Sequence, residues 1–254
     1  MNQLAGVAMT VAVISGGAGD IGAATGARLA RDGATVVVTD KDLAAAADVA
    51  AGIAGAVAFE ADVTDPASVS SLAEAVGQRF GRLDVLVCCA GVEPAHDLAS
   101  MTLPVWEITQ AVNLRGPALL AQAALPFWRR QGGGAMVSIG SRTWLGGAHP
   151  AYAASKAGLV GLTRSLAVEL GPVGVTVNAV APSFVRTGFS AQRGDPAELD
   201  AYAERVRALT PLGELVRVED VANAVAFLAS DQAARITGEV LHVCAGSQLP
   251  VFAR

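Results

Sequence analysis

At 254 residues with 52% hydrophobic side chains, the chain can bury a large core as a single α/β domain over residues 1–254. Charged residues make up only 16%, against roughly 25% in an average soluble domain, which points to surface hidden against copies of the same chain. A net charge of −5 with scattered arginines offers no basic face to a polyanion, so nucleic acid is not expected as a partner.

The apolar start, residues 4–14, lacks a basic flank and runs into a glycine turn, which reads as a strand at 11–14 and not as a signal peptide. The turn is Ser15-Gly16-Gly17-Ala18-Gly19-Asp20-Ile21-Gly22, followed at once by an alanine-rich helical stretch at 23–30. Glycines there let the backbone approach a pyrophosphate, while free N–H groups at the helix start favour its charge. Gly17, Gly19 and Gly22 spell G-x-G-x-x-G, and the next strand, 35–39, ends on Asp40 about twenty positions later, the context that makes such a pattern a dinucleotide site. A carboxylate at Asp40 accepts both adenosine ribose hydroxyls and repels a 2′-phosphate, so NAD is preferred over NADP; Lys41, a neighbouring cation, is the feature that would tolerate the phosphate.

Strand patterns continue at 56–60, 85–89 and 135–139, with a long helix over 104–130 broken from the last by Gln131-Gly132-Gly133-Gly134. No run approaches the roughly 18 apolar residues needed to span a bilayer. Three cysteines, with Cys88 and Cys89 adjacent and Cys244 distant, encode neither a disulfide framework nor a zinc site and suit a reducing cytoplasm. Further on, Tyr152-Ala153-Ala154-Ser155-Lys156 opens a helix over 151–171 and sets a phenol and an ammonium one turn apart on one face. A fixed ammonium stabilises a phenolate, which lets Tyr152 exchange a proton with a substrate oxygen. Strands at 173–179 and 240–243 complete seven, and the irregular stretch 183–213, with a short helix at 197–208, reads as a lid. The βαβ rhythm and fully apolar runs such as Val36-Val37-Val38 predict a doubly wound parallel sheet with helices on both faces.

These motifs together resemble the short-chain dehydrogenase/reductase family over essentially the whole chain, which implies a Rossmann-like fold with a seven-stranded parallel sheet. The resemblance assigns cofactor contacts to Gly16, Gly19, Asp20, Ile21, Gly22, Asp40, Asp62, Val63, Ala90, Gly91, Tyr152, Lys156, Pro182, Val185 and Thr187. It makes Asn113, Ser141, Tyr152 and Lys156 catalytic: Asn113 through a backbone carbonyl that holds a relay water, Ser141 by a hydrogen bond to the substrate oxygen. Ser138 is the fallback for Ser141. The chain departs from the family pattern at three places, four residues in all. Asp20 stands on its middle glycine, where it can N-cap the helix and turn from the phosphate; Cys88-Cys89 replace two asparagines; Ser183 replaces a glycine.

The implied activity is NAD(H)-dependent interconversion of a secondary alcohol and a ketone. Segments 93–97 and 142–147 and the lid face the substrate, with Glu93, Arg142, Trp144, Phe184 and Phe189 as candidates. The aromatics favour an apolar or aryl-bearing small-molecule alcohol; Glu93, His96, His149 and Arg142 are the groups that would suit a polar or acidic one. No metal cluster is spelled out by the three histidines. The family also implies a homotetramer, with the helices at 104–130 and 151–171 forming one interface. An NADPH-dependent 3-oxoacyl-thioester reductase shares the fold, and a non-enzymatic NAD-binding sensor or scaffold would share the nucleotide site alone.

Overall fold

The computed structural model describes residues 10–191 and 195–249. Positions 1–9, 192–194 and 250–254 lie outside them, and with them fall the first residues of the expected strand start at 4–14 and part of the expected lid.

The seven strands are β1 (Val11–Ser15), β2 (Thr35–Asp40), β3 (Val57–Glu60), β4 (Val85–Cys88), β5 (Gly134–Ile139), β6 (Val175–Pro182) and β7 (Val240–Val243). They pair in the order β3-β2-β1-β4-β5-β6-β7, and every ladder is parallel. The sequence order reverses between β1 and β4, where crossovers leave opposite sides of the sheet and open a crevice at the carboxyl ends of the strands. All functional loops described below leave from that edge.

Alternate strand residues feed two cores, as the two-residue period of a strand requires. Val11 and Val13 join Leu120, Phe127 and Trp128 on one face, while Ala12 and Ile14 join Leu29, Ile53, Val221 and Val225 on the other. The first face is covered by α3 (Pro66–Phe80), α5 (Gly116–Gln131) and α7 (Pro150–Leu170). The second is covered by α1 (Asp20–Arg31), α2 (Leu43–Ala51) and α10 (Val218–Leu228). Both faces are thus dry, which is why β2 and β4 can be apolar at consecutive positions.

Three details differ from expectation. Helix α1 begins at Asp20, three residues early. Strand β6 starts at Val175, after a 3-10 turn at Gly171–Val173, and runs on to Pro182. The long helix over 104–130 is two helices, α4 (Leu103–Gln110) and α5, joined by a π-helical turn at Ala111–Arg115. Apolar periodicity cannot reveal a one-residue insertion that keeps both flanking stripes intact. No helix of the described residues is long and apolar enough to cross a membrane.

Candidate active site

The crevice holds a cavity of about 510 Å³ that runs from the glycine turn past Asp40 and Asp62 to Ser141, Tyr152 and the segment after β6. Its glycine-turn end is built from backbone. A Cβ on Gly16 would stand 2.5 Å from the Ala90 backbone, and one on Gly22 would stand 2.4 Å from the Gly16 carbonyl oxygen, so both positions admit only glycine. Asp42, Asp65, Thr102 and Asp195 each cap their own helix with a side-chain oxygen. Helix α1 has no side-chain cap: Gly19 occupies its N-cap position without a side chain to offer, and its first-turn N–H groups open on the cavity.

Asp20 is therefore not the cap. It is the first helical residue, and its Oδ2 accepts a 2.7 Å hydrogen bond from the N–H of Gly188, the first residue of the short helix α8 (Gly188–Ala191). This carboxylate thus ties a far segment of the chain across the glycine-turn end of the cavity. Asp40 lies at the same mouth, where its Oδ2 accepts from Ala18 N at 3.4 Å and its Oδ1 from Asp42 N at 3.3 Å. Asp62 takes two hydrogen bonds from Thr64 on Oδ1, which hold its carboxyl below the usual carboxylate range and leave Oδ2 for a ligand N–H.

At the other end, Tyr152 and Lys156 are both buried, at 6% and 4% exposure, and Lys156 Nζ lies 5.5 Å from the centre of the Tyr152 ring. Nζ donates to the Ile139 carbonyl oxygen at 2.7 Å, and burial lowers its pKa to about 8. Ser141 Oγ accepts from Thr143 N and Thr143 Oγ1, so its own hydroxyl proton remains to be given. Asn113 sits on the π-helical turn with a committed side chain: Oδ1 accepts from Val92 N, while Nδ2 donates to Val92 O and to Ser155 Oγ. It is a buried strut between the loop after β4 and α7, behind the cavity wall and not on it. Ser138 is buried in β5 away from the cavity.

The two adjacent cysteines carry no activated thiol. Burial pushes the Cys88 thiol up to about 12 and raises Cys89 further, and a protonated thiol is no nucleophile. Cys89 nevertheless lines the cavity beside Ala90 and Gly91. Ser183, the third departure, also lines it, with a buried hydroxyl that reaches no partner among the described residues.

Of the substrate candidates, Arg142, Phe184 and Phe189 line the cavity, whereas Glu93 and Trp144 do not. Trp144 turns away to stack on His242 of β7, its Nε1 donating to Nε2 at 3.2 Å. His96 and His149 also serve structure. His96 Nε2 accepts from Ala151 N at 3.3 Å while Nδ1 donates to Pro94 O, which docks the start of α7 immediately before Tyr152. Sequence reading missed Tyr202, a wall residue that meets Phe184 edge to face at 5.2 Å. Its signal was present: Leu199, Tyr202, Ala203 and Val206 form an i, i+3, i+4, i+7 stripe on α9 (Pro196–Ala208) that packs on Phe184. Among the described residues, no group of three or more His, Cys, Asp and Glu side chains is placed to hold a metal.

A family model described as Enoyl-(Acyl carrier protein) reductase matches residues 16–248. The chain is 41% identical over 243 residues to cis-4-hydroxycyclohexanecarboxylate dehydrogenase of Sinomonas cyclohexanicum, covering 93% of this chain and 95% of that one. It is 37% identical over 252 residues to (2S)-((R)-hydroxy(phenyl)methyl)succinyl-CoA dehydrogenase subunit BbsD of Thauera aromatica, covering 96% and 98%. The crystal structure of gox2181 superimposes with a TM-score of 0.88 at 35% identity, covering 95% of this chain and 96% of that one.

Proposed function

Because the chain belongs to the short-chain dehydrogenase/reductase family and is an oxidoreductase of the alcohol–ketone pair, we propose that it works with NAD(H) on an apolar or aryl-bearing secondary alcohol. The observation that carries this reading is one continuous cavity holding an uncapped helix start, a carboxylate at the end of β2 and the Ser141, Tyr152 and Lys156 side chains.

The residues fit a dinucleotide. Gly16, Gly19, Ile21 and Gly22 would cradle its pyrophosphate, with Asp20 closing α8 over them; Asp40 would take the ribose hydroxyls, and Asp62 and Val63 the adenine. Ala90, Gly91, Pro182, Val185 and Thr187 would border the nicotinamide half, where the free Ser183 hydroxyl adds a polar contact. When bound, the nicotinamide supplies the hydride acceptor or donor. Ser141 donates its hydroxyl proton to the substrate oxygen and fixes it. Tyr152 then takes the alcohol proton, or returns it in the reduction. Lys156 holds positive charge next to the phenol, which favours phenolate and lowers the cost of that transfer. Asn113 acts by keeping the loop after β4 and Ser155 in register with α7, and its backbone carbonyl would seat the relay water.

Asp40 supports NAD over NADP, because a 2′-phosphate there would meet a carboxylate with no cation fixed on it among the described residues. A panel of secondary alcohols read by absorbance with each cofactor tests the whole reading. The expected result is turnover with NAD+ at a kcat/KM at least about 100-fold above that with NADP+, and an Asp40→Ser variant in which most of that ratio is lost. Equal use of the two cofactors by the wild type would remove the NAD assignment, and no turnover of any alcohol would favour the sensor or scaffold. The family description keeps a thioester-linked substrate as the second reading, and NADPH preference would favour it.

We also propose a cytoplasmic homotetramer. Leu103 and Ile108 on α4 and Val168 on α7 expose apolar side chains at 68%, 44% and 81%, on the helices expected to pair between subunits. Light scattering should give about four times the 25.6 kDa of one chain; a monomer at micromolar concentration would contradict the assembly.

A further inference from the structure

The structure assigns Arg142 as the anchor for a carboxylate on the substrate, making the preferred alcohol a hydroxy acid; this rests on the oxidoreductase reading of the same cavity. Arg142 immediately follows Ser141, and its own N–H donates to the Pro182 carbonyl oxygen at 2.9 Å, which pins it between the ends of β5 and β6. Its side chain is half-buried in the cavity wall and reaches no acceptor or carboxylate among the described residues. The other half-buried arginines behave differently: Arg28 and Arg82 each hold an acidic partner, and arginines that show none, such as Arg31, Arg79, Arg129 and Arg164, are exposed to water. A guanidinium partly withdrawn from water without a counter-ion is costly, and a ligand anion relieves that cost.

The cofactor's pyrophosphate is not that anion. Its cradle follows β1, and β5 lies two strands away, roughly 10 Å at ~4.8 Å per strand. The wall carboxylates Asp40 and Asp62 belong to the adenine end, Asp20 is spent on Gly188, and Glu93, which does not line the cavity, lies close enough to Lys156 for its charge to act there. The cations that line the reacting end are Arg142 and Lys156, and Lys156 is turned to Ile139. Phe184, Phe189 and Tyr202 line the same end with aromatic surface. The wall therefore offers a hydroxyl donor at Ser141, a planar two-pronged cation one residue on, and rings between which an apolar body fits.

The test pairs aryl and cycloalkyl hydroxy acids with their primary amides, which keep the hydroxyl and the body but lose the charge. Wild-type protein should favour the acid by roughly 10- to 100-fold in kcat/KM, and Arg142→Gln should collapse that preference, with Arg142→Lys restoring part of it. A parallel arm needs no turnover: calorimetric binding of benzoate and cyclohexanecarboxylate to the protein with NAD+, in wild type and Arg142→Gln. A tenfold or greater loss of carboxylate affinity in the variant supports the anchor. An acid preference that survives Arg142→Gln, or carboxylate binding indifferent to it, overturns it. If no alcohol is oxidised but carboxylate binding still depends on Arg142, the anchor stands and the alcohol reading falls.

Discussion

Tyr152→Phe removes a single oxygen and should lower kcat by about a thousandfold or more, with cofactor affinity unchanged within about twofold. The ring stays, and with it the packing of a side chain only 6% exposed and the face beside which Lys156 Nζ sits at 5.5 Å. What disappears, on the proposed mechanism, is the group that takes the proton from an alcohol held by Ser141. Since one atom is lost at the wall of a cavity and the ring keeps its packing, thermal stability should hardly move. Steady-state rates on any turned-over alcohol, read beside a fluorescence titration of the cofactor, separate the two effects. A variant keeping a tenth of the wild-type rate would remove Tyr152 from the reacting centre.

Lys156→Met should be equally damaging to rate and, unlike the tyrosine change, should also weaken cofactor binding, on the order of tenfold. The methionine fills much of the same volume but cannot donate to Ile139 O or hold charge beside the phenol. The pH profile makes the assignment sharper. Burial lowers the ammonium to about 8, so the charge that favours phenolate is present below that pH and fades above it. In the free enzyme kcat/KM should accordingly fall as pH climbs through about 8, and Lys156→Arg, charged throughout, should lose that falling limb even at a lower plateau. Stability runs the other way. The unfolded chain holds this proton up to its ordinary value of 10.5, so the unfolded state binds more protons between about 8 and 10.5. Wild-type stability should rise across that window relative to Lys156→Met, and at pH 7 the variant should be at least as stable because no buried charge remains. A variant that unfolds at pH 7 would mark Lys156 as structural.

The sheet was legible because its information is local. Runs such as Thr35–Asp40 and Val85–Cys88 carry enough β-branched, apolar length to declare buried strands, and the strand-turn-helix around Gly16 to Gly22 and the i, i+4 spacing of Tyr152 and Lys156 are readable without the fold. What escaped is non-local. Asp20 bonds Gly188 at a separation of 168 residues, which no helix-start rule could anticipate. Trp144 looked like a substrate contact because it follows a strand end, yet His242, 98 residues on, offers its indole a better neighbour. His96 looked like a polar ligand group and instead docks α7 through Ala151 N. The π-helical turn at Ala111–Arg115 escaped for a different reason: its flanks are ordinary helix, and only Asn113's double hydrogen bond to Val92 shows why the extra residue is there.

The chain owns two lysines, and both line the same cavity: Lys41 exposed at its mouth beside Asp40, Lys156 buried at its floor. On most proteins an acylating reagent maps the outer skin, because ε-amines are scattered over it. Here every ε-amine answers to one crevice, quickly at one end and slowly at the other. Covalent labelling of its lysines is therefore a footprint of cofactor occupancy, and immobilising the protein through them attaches it by the rim of its own active site.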